Sequence, residues 1–357
     1  MAQSYATIQT RILQLLQDTS SATYDTTELG MWIEDELKRT SRYQSLLIDV
    51  IFKIESRFGT DSAGTASKLT DTSKAQFLAA DATDEKVIHN TTDDTWAVVT
   101  AQDSTSILSL SRNIMASGEN YEIYNKRCRN KRQIYIGDMP SEFRQKVVRV
   151  EYPIGTERNF RLLDDVIELD VLDSTMRDSD STLSPLNPVD VLVTFAVPHI
   201  LSQLTDWSGE VDLVAGYAAG DTTIHIDGMQ TSGTIEIGEL FTLENHRSVY
   251  IITTAGTLAS SEGDISFYPG LETTSADNDD ISFRKSTLTP ELEEILCQRV
   301  AARAILSNTV TKVASINPGG SGAYERERQW AMDMLAETER NLKRGIRTIP
   351  AKPLPRT

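Results

Sequence analysis

The first forty residues alternate apolar and polar positions with the period of a helix. Ile8, Ile12 and Leu16 recur at four-residue spacing, which places them on one helical face. In the following segment, TYDTTELGMWIEDELKRTSRY, Asp25 suits the N-cap of a second helix and Glu28 follows it at capping-box spacing. The pattern predicts two amphipathic helices joined by a short polar connection. Such a pair needs a partner to bury both of its apolar faces.

The last seventy residues show the same period. In STLTPELEEILCQRVAARAIL, Thr289 suits an N-cap and Pro290 suits the first helical position. The loop INPGGSG separates this helix from a fourth one, for which Gly345 is a natural stop. We therefore predict a helical bundle formed by an N-terminal and a C-terminal hairpin. Its predicted core residues are Ile12, Leu16, Leu29, Trp32, Ile33, Leu37, Leu296, Val300 and Leu335.

Between the helical ends the pattern changes to that of strands. Residues 87–125 and 220–284 are rich in Thr, Val, Ile and aromatic residues, and Asn, Asp and Gly interrupt them at turns. Residues 59–84 and 173–188 are rich in Ser, Thr and Asp, which predicts linkers or long surface loops. The predicted fold class is α+β, with a large antiparallel β region of small barrel or sandwich modules inserted into the helical bundle.

These patterns divide the chain into five predicted segments. They are an N-terminal helical hairpin (1–58), a β-rich region (59–200), a second β module (201–286), C-terminal helices that complete the bundle (287–346) and an extended tail (347–357).

Charge narrows the classes of function. Asp and Glu outnumber Lys and Arg by 52 to 35, which gives a net charge of -17. This argues against broad coating of duplex DNA, because affinity for nucleic acid rests mainly on neutralised phosphates. An acidic surface suits solubility, or a passage through which DNA slides without sticking. The N-terminus MAQSYATIQTRILQLL has polar residues among its apolar ones, and no stretch approaches the roughly 18 apolar residues of a membrane span. We expect no signal peptide, no membrane segment and synthesis in a cytoplasm.

Candidate chemistry is sparse. His225 and Asp227 lie on one face of a predicted strand, and His246 is a third candidate ligand, but a solvated strand face is the favoured interpretation. Asp277, Asp279 and Asp280 suggest calcium but lack the EF-hand spacing. The chain has no P-loop, nucleophile-elbow or H-E-x-x-H motif. We predict no catalytic residue, no metal, no cofactor and no enzymatic activity.

Basic residues are concentrated in two places. The stretch KRCRNKR holds Lys126, Arg127, Arg129, Lys131 and Arg132. It is interpreted either as a solvated strand edge or as a contact with DNA backbone or an acidic neighbouring subunit. The second concentration is the tail ERNLKRGIRTIPAKPLPRT, where three prolines favour an extended chain. Apolar residues at intervals among its charges suit an extended peptide in a groove, and a frayed terminus is the alternative.

The helical ends resemble a known family. RILQLLQDTSSATYDTTELGMWIEDELKRTSRY looks like the opening hairpin of head-to-tail connector (adaptor, or neck) proteins of tailed bacteriophages. TPELEEILCQRVAARAIL and ERERQWAMDMLAETERNLKR are similar to the later helices of that family. The β stretches look like modules inserted into many phage virion proteins. The likeness covers about a quarter of the chain for the helices and about another third for the β modules, and this long β middle departs from the small members of the family.

The resemblance implies a structural virion protein at the head–tail junction, made in the cytoplasm of a bacterial host. Its partners would be the portal protein, the next neck or tail component, and identical subunits in a ring, commonly a dodecamer. Genomic DNA would pass through the lumen without sequence-specific binding. The C-terminal segment of such adaptors often reaches the portal, which nominates Arg344, Ile346, Arg347, Ile349, Pro350 and Leu354 as portal contacts.

A different class of function remains as the alternative. The β modules are also compatible with a tail or capsid fibre, or a decoration protein, that binds host-surface glycans. Aromatic residues of the second module are the candidates for stacking on sugars, although core or interface packing is the favoured interpretation. They are Trp207, Tyr217, Tyr250 and Tyr268.

Overall fold

The computed structural model describes residues 4–55, 57–172, 190–313 and 321–344, which form a mixed α+β fold with a large antiparallel β region. The α+β class and the antiparallel middle are as predicted. The helices are α1 (Tyr5–Leu15), α2 (Thr26–Tyr43), α3 (Ala80–Thr83), α4 (Ser141–Arg144), α5 (Pro290–Val313) and α6 (Ser321–Arg344). None of them is long and apolar enough to span a bilayer, as far as the described residues go.

Short polar side chains set the boundaries of the first two helices. Ser4 caps α1 by accepting from the Thr7 N–H, and Asp25 caps α2 by accepting from the Thr27 N–H. Between the helices, the carboxylate of Asp18 accepts three backbone N–H bonds, at 2.7–3.0 Å, from residues 22–24. These bonds fix the connection that the sequence predicts only as polar. They also hold the pKa of Asp18 below its usual range.

Residues 58–124 form a six-stranded antiparallel sheet in the order β2-β7-β4-β5-β6-β3. Its strands are β2 (Phe58–Thr60), β3 (Lys68–Thr70), β4 (Val87–Asn90), β5 (Thr95–Ser104), β6 (Ile107–Leu110) and β7 (Asn120–Tyr124). Alternate residues of these strands point inward and form an apolar core around Ile88, Leu108 and Ile123, all fully buried.

The prediction of a linker or surface loop at residues 59–84 is wrong. This segment contains β3 and α3, and part of β2. Three of its four aspartates are buried and hydrogen-bonded: Asp61 is described below, Asp71 accepts from the hydroxyl of Tyr121 at 2.7 Å, and Asp81 accepts from Arg57. Composition misleads here because Asp organises a tight backbone by accepting N–H bonds as readily as it marks a loop. Residues 173–188 lie outside the described part of the chain.

Asp61 provides a direct test of this correction. Its buried carboxylate accepts from the N–H of Thr70 at 2.6 Å and from the N–H of Gly64. Asp61→Ala leaves both donors unpaired, so we expect a loss of about 1–3 kcal/mol in the free energy of unfolding, measured in urea. Asp103→Ala, which removes a surface ion pair with Lys68 in the same sheet, should cost much less because solvent screens this pair. Equal costs for the two variants would mean that Asp61 is not structural.

There are two three-stranded sheets in the described residues, β1-β12-β9 and β10-β11-β8, and the first of them joins distant parts of the chain. The strands are β1 (Leu46–Lys53), β8 (Gln133–Tyr135), β9 (Val147–Glu151), β10 (Phe160–Leu163), β11 (Val166–Leu169) and β12 (Asp190–Val197). β1 pairs with β12 over all eight of its residues, from Leu46 opposite Val197 to Lys53 opposite Asp190. Helix therefore ends at Tyr43 within the segment 1–58, and the rest of that segment belongs to the β region.

Residues 208–283 close into a six-stranded barrel in the order β13-β14-β19-β17-β16-β20, with a two-stranded sheet, β15-β18, beside it. The strands are β13 (Ser208–Val211), β14 (Thr223–Asp227), β15 (Ser232–Ile235), β16 (Leu240–Leu243), β17 (Tyr250–Thr254), β18 (Gly256–Ala259), β19 (Gly263–Tyr268) and β20 (Asp280–Phe283). Its interior holds Phe241 with Tyr250, Phe267 and Phe283 around it at centroid distances of 5.2–5.4 Å. Closure removes the exposed edges that an open sheet of this size would present.

Candidate functional site

The helices from the two ends of the chain share one apolar cluster. Of the predicted core residues, Ile12, Leu29, Ile33, Leu296 and Val300 are buried in this cluster. Leu16, Trp32 and Leu37 are partly buried and pack against it, and Leu335 of α6 is half-buried. The contribution of α6 to the cluster is Leu342, which is fully buried.

A charged group lies at the centre of these helices. The guanidinium of Arg299 on α5 is only 2% exposed, and its Nε donates to Glu36 of α2 at 2.6 Å. Its Nη1 donates to Thr338 at 3.2 Å and to Glu339 at 3.3 Å, both on α6. One buried arginine thus connects three helices contributed by both ends of the chain. This cluster of Arg299, Glu36, Thr338 and Glu339 is called the helical charge centre below.

Glu339 links the charge centre to the end of α2. It accepts from the hydroxyl of Tyr43 in a short hydrogen bond and from Arg39 at 3.0 Å. The hydrogen bond from Tyr43, with the nearby guanidinium groups of Arg39 and Arg299, holds the pKa of Glu339 below its usual range. Glu339 therefore remains a carboxylate between two cations at neutral pH.

Sequence reasoning did not single out the helical charge centre, although a signal was present. Glu36 falls at helical spacing from Leu29 and Ile33, so it interrupts the buried stripe of α2. Arg299 follows the buried Leu296 by three residues on α5 in the same way. Opposite charges at core positions of two helices predict a buried pair, because either one alone would be costly to desolvate.

Residues 199–202 attach the helices to the barrel. The backbone N–H of His199 donates to the hydroxyl of Ser41 at 2.8 Å, and the backbone N–H of Tyr5 donates to the Ser202 carbonyl at 3.3 Å. The Ser202 hydroxyl donates to the buried carboxyl of Glu239, in the barrel, at 2.8 Å. Burial raises the pKa of Glu239 to about 7.

The raised pKa of Glu239 predicts a pH-dependent stability. Between the unfolded pKa near 4.5 and the folded pKa near 7, the unfolded chain loses its proton while the folded chain keeps it. This contribution to stability is therefore complete below pH 4.5 and declines as pH rises to 7. We expect Glu239→Gln to become more stable relative to wild type by about 3 kcal/mol between pH 4.5 and pH 8. Urea unfolding across this range measures the difference. Glu236→Gln, which removes an exposed carboxylate that contributes to the raised pKa of Glu239, should show a much smaller difference.

The basic stretch lies in the turn region between β7 and β8, not on a strand edge. Lys126 pairs with Glu85 at 2.9 Å and with Asp138 at 3.2 Å, and Arg127 pairs with Asp165 at 3.1 Å. Arg132 lies 3.6 Å from a carboxylate as well. Arg129 is exposed, and Lys131 is half-buried. Acidic groups of the same chain thus neutralise much of the positive charge of the basic stretch.

A charged cleft, which the sequence analysis did not predict, lies where the β units meet. It has a volume of about 540 Å³ and is lined by β1, α3, β8 and the end of β19. Arg57 holds Glu55 and Asp81 through paired hydrogen bonds of 2.6–3.0 Å. Burial raises the pKa of Glu55, but Arg57 outweighs this effect and lowers the value to about 2. The charges at this end of the cleft therefore pair with one another within the chain.

The candidate metal ligands His225 and His246 lie apart in the structure. His246 lies in the loop after β16, where its ring contacts Tyr250 and Thr273, so it does not join His225. The side chains near His225 are instead Asp212, Glu262 and Asp264. Asp277 and Asp279 accept backbone N–H bonds from the surrounding loop.

The aromatic candidates for glycan stacking are mostly engaged inside the protein. Tyr250 is fully buried, and the hydroxyl of Tyr268 donates to the Tyr135 carbonyl at 2.6 Å. Trp207 is partly buried, with the ammonium of Lys285 4.0 Å from its ring. Tyr217 packs against the barrel core, and its hydroxyl accepts from the His225 N–H.

The nominated portal contacts lie at the end of the chain. Arg344 is the exposed last residue of α6. Ile346, Arg347, Ile349, Pro350 and Leu354 lie outside the described residues.

Comparisons of the chain with protein-family models, with curated proteins and with solved structures found no match.

Proposed function

We propose that this protein is a structural virion protein, an adaptor that forms a ring beneath the portal and joins the capsid to the tail. The observation that carries the proposal is the meeting of the two chain ends in one helical unit. The resemblance to phage connectors lies in these helices, and α1, α2, α5 and α6 bury one apolar cluster around Arg299.

The finer architecture belongs to the same proposal. α1 with α2, and α5 with α6, act as two hairpins that close one helical bundle. Hydrogen bonds between ends more than 260 residues apart support this, such as Arg299 to Glu36. The β region then emerges from the bundle as one large insertion, since β1 follows α2 directly and β20 precedes α5.

A ring subunit needs two unlike faces and no active site. The net charge of -17 supports a lumen that DNA crosses without sticking. In the basic stretch, the exposed Arg129 is proposed to contact DNA backbone or a neighbouring subunit. Lys126 and Arg127 instead form ion pairs within the subunit, with Glu85 and Asp165 respectively.

The C-terminal tail is proposed to dock on the portal. α6 ends at the exposed Arg344, and basic and apolar residues follow it in the sequence. Apolar side chains among positive charges suit a groove with acidic edges, and three prolines lower the entropy lost when such a peptide is ordered.

Copy number per particle tests the proposal. Quantitative mass spectrometry of purified virus particles, referenced to the major capsid protein, should give about twelve copies, as a ring at a single vertex requires. A decoration protein would be present in hundreds of copies. Hundreds of copies, or none, would contradict the adaptor proposal.

A further inference from the structure

We propose that Asp212, His225 and Glu262 bind a divalent transition-metal ion, with Zn²⁺ as the best fit, on the outer wall of the barrel. This site does not depend on the proposed virion role. It uses none of the residues that connect the helices, and its residues are separated in sequence by up to fifty positions.

Strand pairing brings these side chains together. In β14 the side chains of Ile224 and Ile226 are fully buried in the barrel, so His225 between them points outward. Asp212 follows β13, and its backbone N–H donates to the His225 carbonyl at 3.0 Å. Glu262 lies in the turn that leads into β19. The candidate ligands thus lie on β14 and beside the ends of its two neighbouring strands, β13 and β19, in a closed barrel that positions them.

The distances suit a small dication. The Nε2 atom of His225 lies 3.9 Å from a carboxylate oxygen of Asp212 and 3.9 Å from one of Glu262. All three candidate ligand atoms lie within 4.8 Å of one another. Zinc bonds of about 2.0–2.2 Å place tetrahedral ligand atoms about 3.4 Å apart. The exposed carboxylates close this difference by small rotations, and the fourth position is left to water.

Asp264 orients the histidine for this role. It lies opposite His225 in the pairing of β14 with β19, and its carboxylate is 2.7 Å from Nδ1. With its proton on Nδ1, the imidazole donates a hydrogen bond to Asp264. The lone pair of Nε2 is then directed at Asp212 and Glu262. A carboxylate that holds the far nitrogen of a histidine is the usual outer partner of a metal-bound imidazole. Asp264 is therefore a positioning residue.

Charge and ligand type favour a transition metal over calcium or magnesium. Three carboxylates surround one imidazole here, and a dication offsets their mutual repulsion. Imidazole nitrogen is a preferred ligand of zinc and its neighbours, whereas calcium and magnesium take oxygen ligands. In the sequence, Asp227 and His246 are the candidate partners of His225; in the structure, Asp212 and Glu262 are the potential ligands beside it.

Isothermal titration calorimetry with ZnCl₂ on the full-length, EDTA-treated protein tests the site. We expect one zinc ion per chain to be lost in His225→Ala and retained in His246→Gln, which removes a barrel histidine outside the cluster. Asp264→Asn should weaken zinc binding about 10- to 100-fold. Zinc should also raise the melting temperature of wild type but not that of His225→Ala.

Circular dichroism establishes that each variant is folded, and His225→Gln replaces His225→Ala if the latter is not. Wild type that binds no zinc would overturn the proposal, as would equal zinc binding by the His225 and His246 variants. Calcium binding that is tighter than zinc binding and insensitive to His225 would also overturn it, because oxygen atoms alone would then form the site.

Discussion

Arg299→Ala should destabilise the protein by about 3–5 kcal/mol, the largest effect that we expect from a single substitution. The guanidinium lies at the centre of the helices, where it donates to Glu36, Thr338 and Glu339. Truncation leaves the carboxylate of Glu36 buried without its closest cation, and it removes a large side chain from a fully packed position. Urea unfolding followed by circular dichroism at pH 7 measures the loss.

Two further variants distinguish the effect on stability of losing a buried charge from that of losing an exposed one. Arg39→Ala removes another partner of Glu339, but Arg39 is 48% exposed, so the cost should stay below about 1 kcal/mol. The double variant Arg299→Met with Glu36→Leu removes both buried charges together and should recover most of the stability that Arg299→Ala loses. An Arg299→Ala protein as stable as wild type would mean that the charge centre does not hold the helical ends together.

The adaptor proposal predicts that deletion of residues 346–357 abolishes incorporation of the protein into virus particles while leaving its fold unchanged. The described core of α6 ends at Leu342, so the deletion removes no residue of the apolar cluster. It removes five of the six nominated portal contacts, from Ile346 to Leu354. Immunoblots of purified particles from a genome that carries the deletion measure incorporation, and thermal unfolding of the purified variant measures the fold.

A shorter deletion is the matched control. Removal of residues 355–357 shortens the same tail but keeps every nominated contact, so incorporation should remain normal. Incorporation of the longer deletion at the wild-type level would contradict portal docking by the tail. A longer deletion that unfolds would contradict the independence of tail and core, and Ile349→Asp with Leu354→Asp would then test docking in a folded chain.

Local patterns predicted the helices well. The four long helices lie where the apolar period places them, and Asp25 caps α2 as its position before Thr26 indicates. Such features depend on neighbours within a few residues, which the sequence displays directly. The class of the middle region also followed from local composition, since β-branched and aromatic residues interrupted by turns favour antiparallel strands.

Features that depend on distant partners did not follow from the sequence. The sequence of Leu46–Lys53 does not identify Asp190–Val197 as its partner strand, because any apolar strand of similar length could pair with it equally well. The acidic residues of 59–84 are typical of a solvated loop, and the sequence does not show that buried N–H groups donate to Asp61. The sequence offers Asp227 and His246 as candidate partners of His225, because the strand order that brings Asp212 and Glu262 beside it depends on distant pairing.

The position of the protein on the virus particle is the most direct test of the adaptor proposal. Immunogold electron microscopy of intact particles, with antibodies against residues 205–286, locates the barrel. Blocking the antibody with the purified protein gives the background, and particles opened at the neck expose epitopes that the tail covers. The proposal predicts gold at the single vertex where head meets tail. Gold distributed over the whole capsid, or gathered at the tail tip, would contradict it.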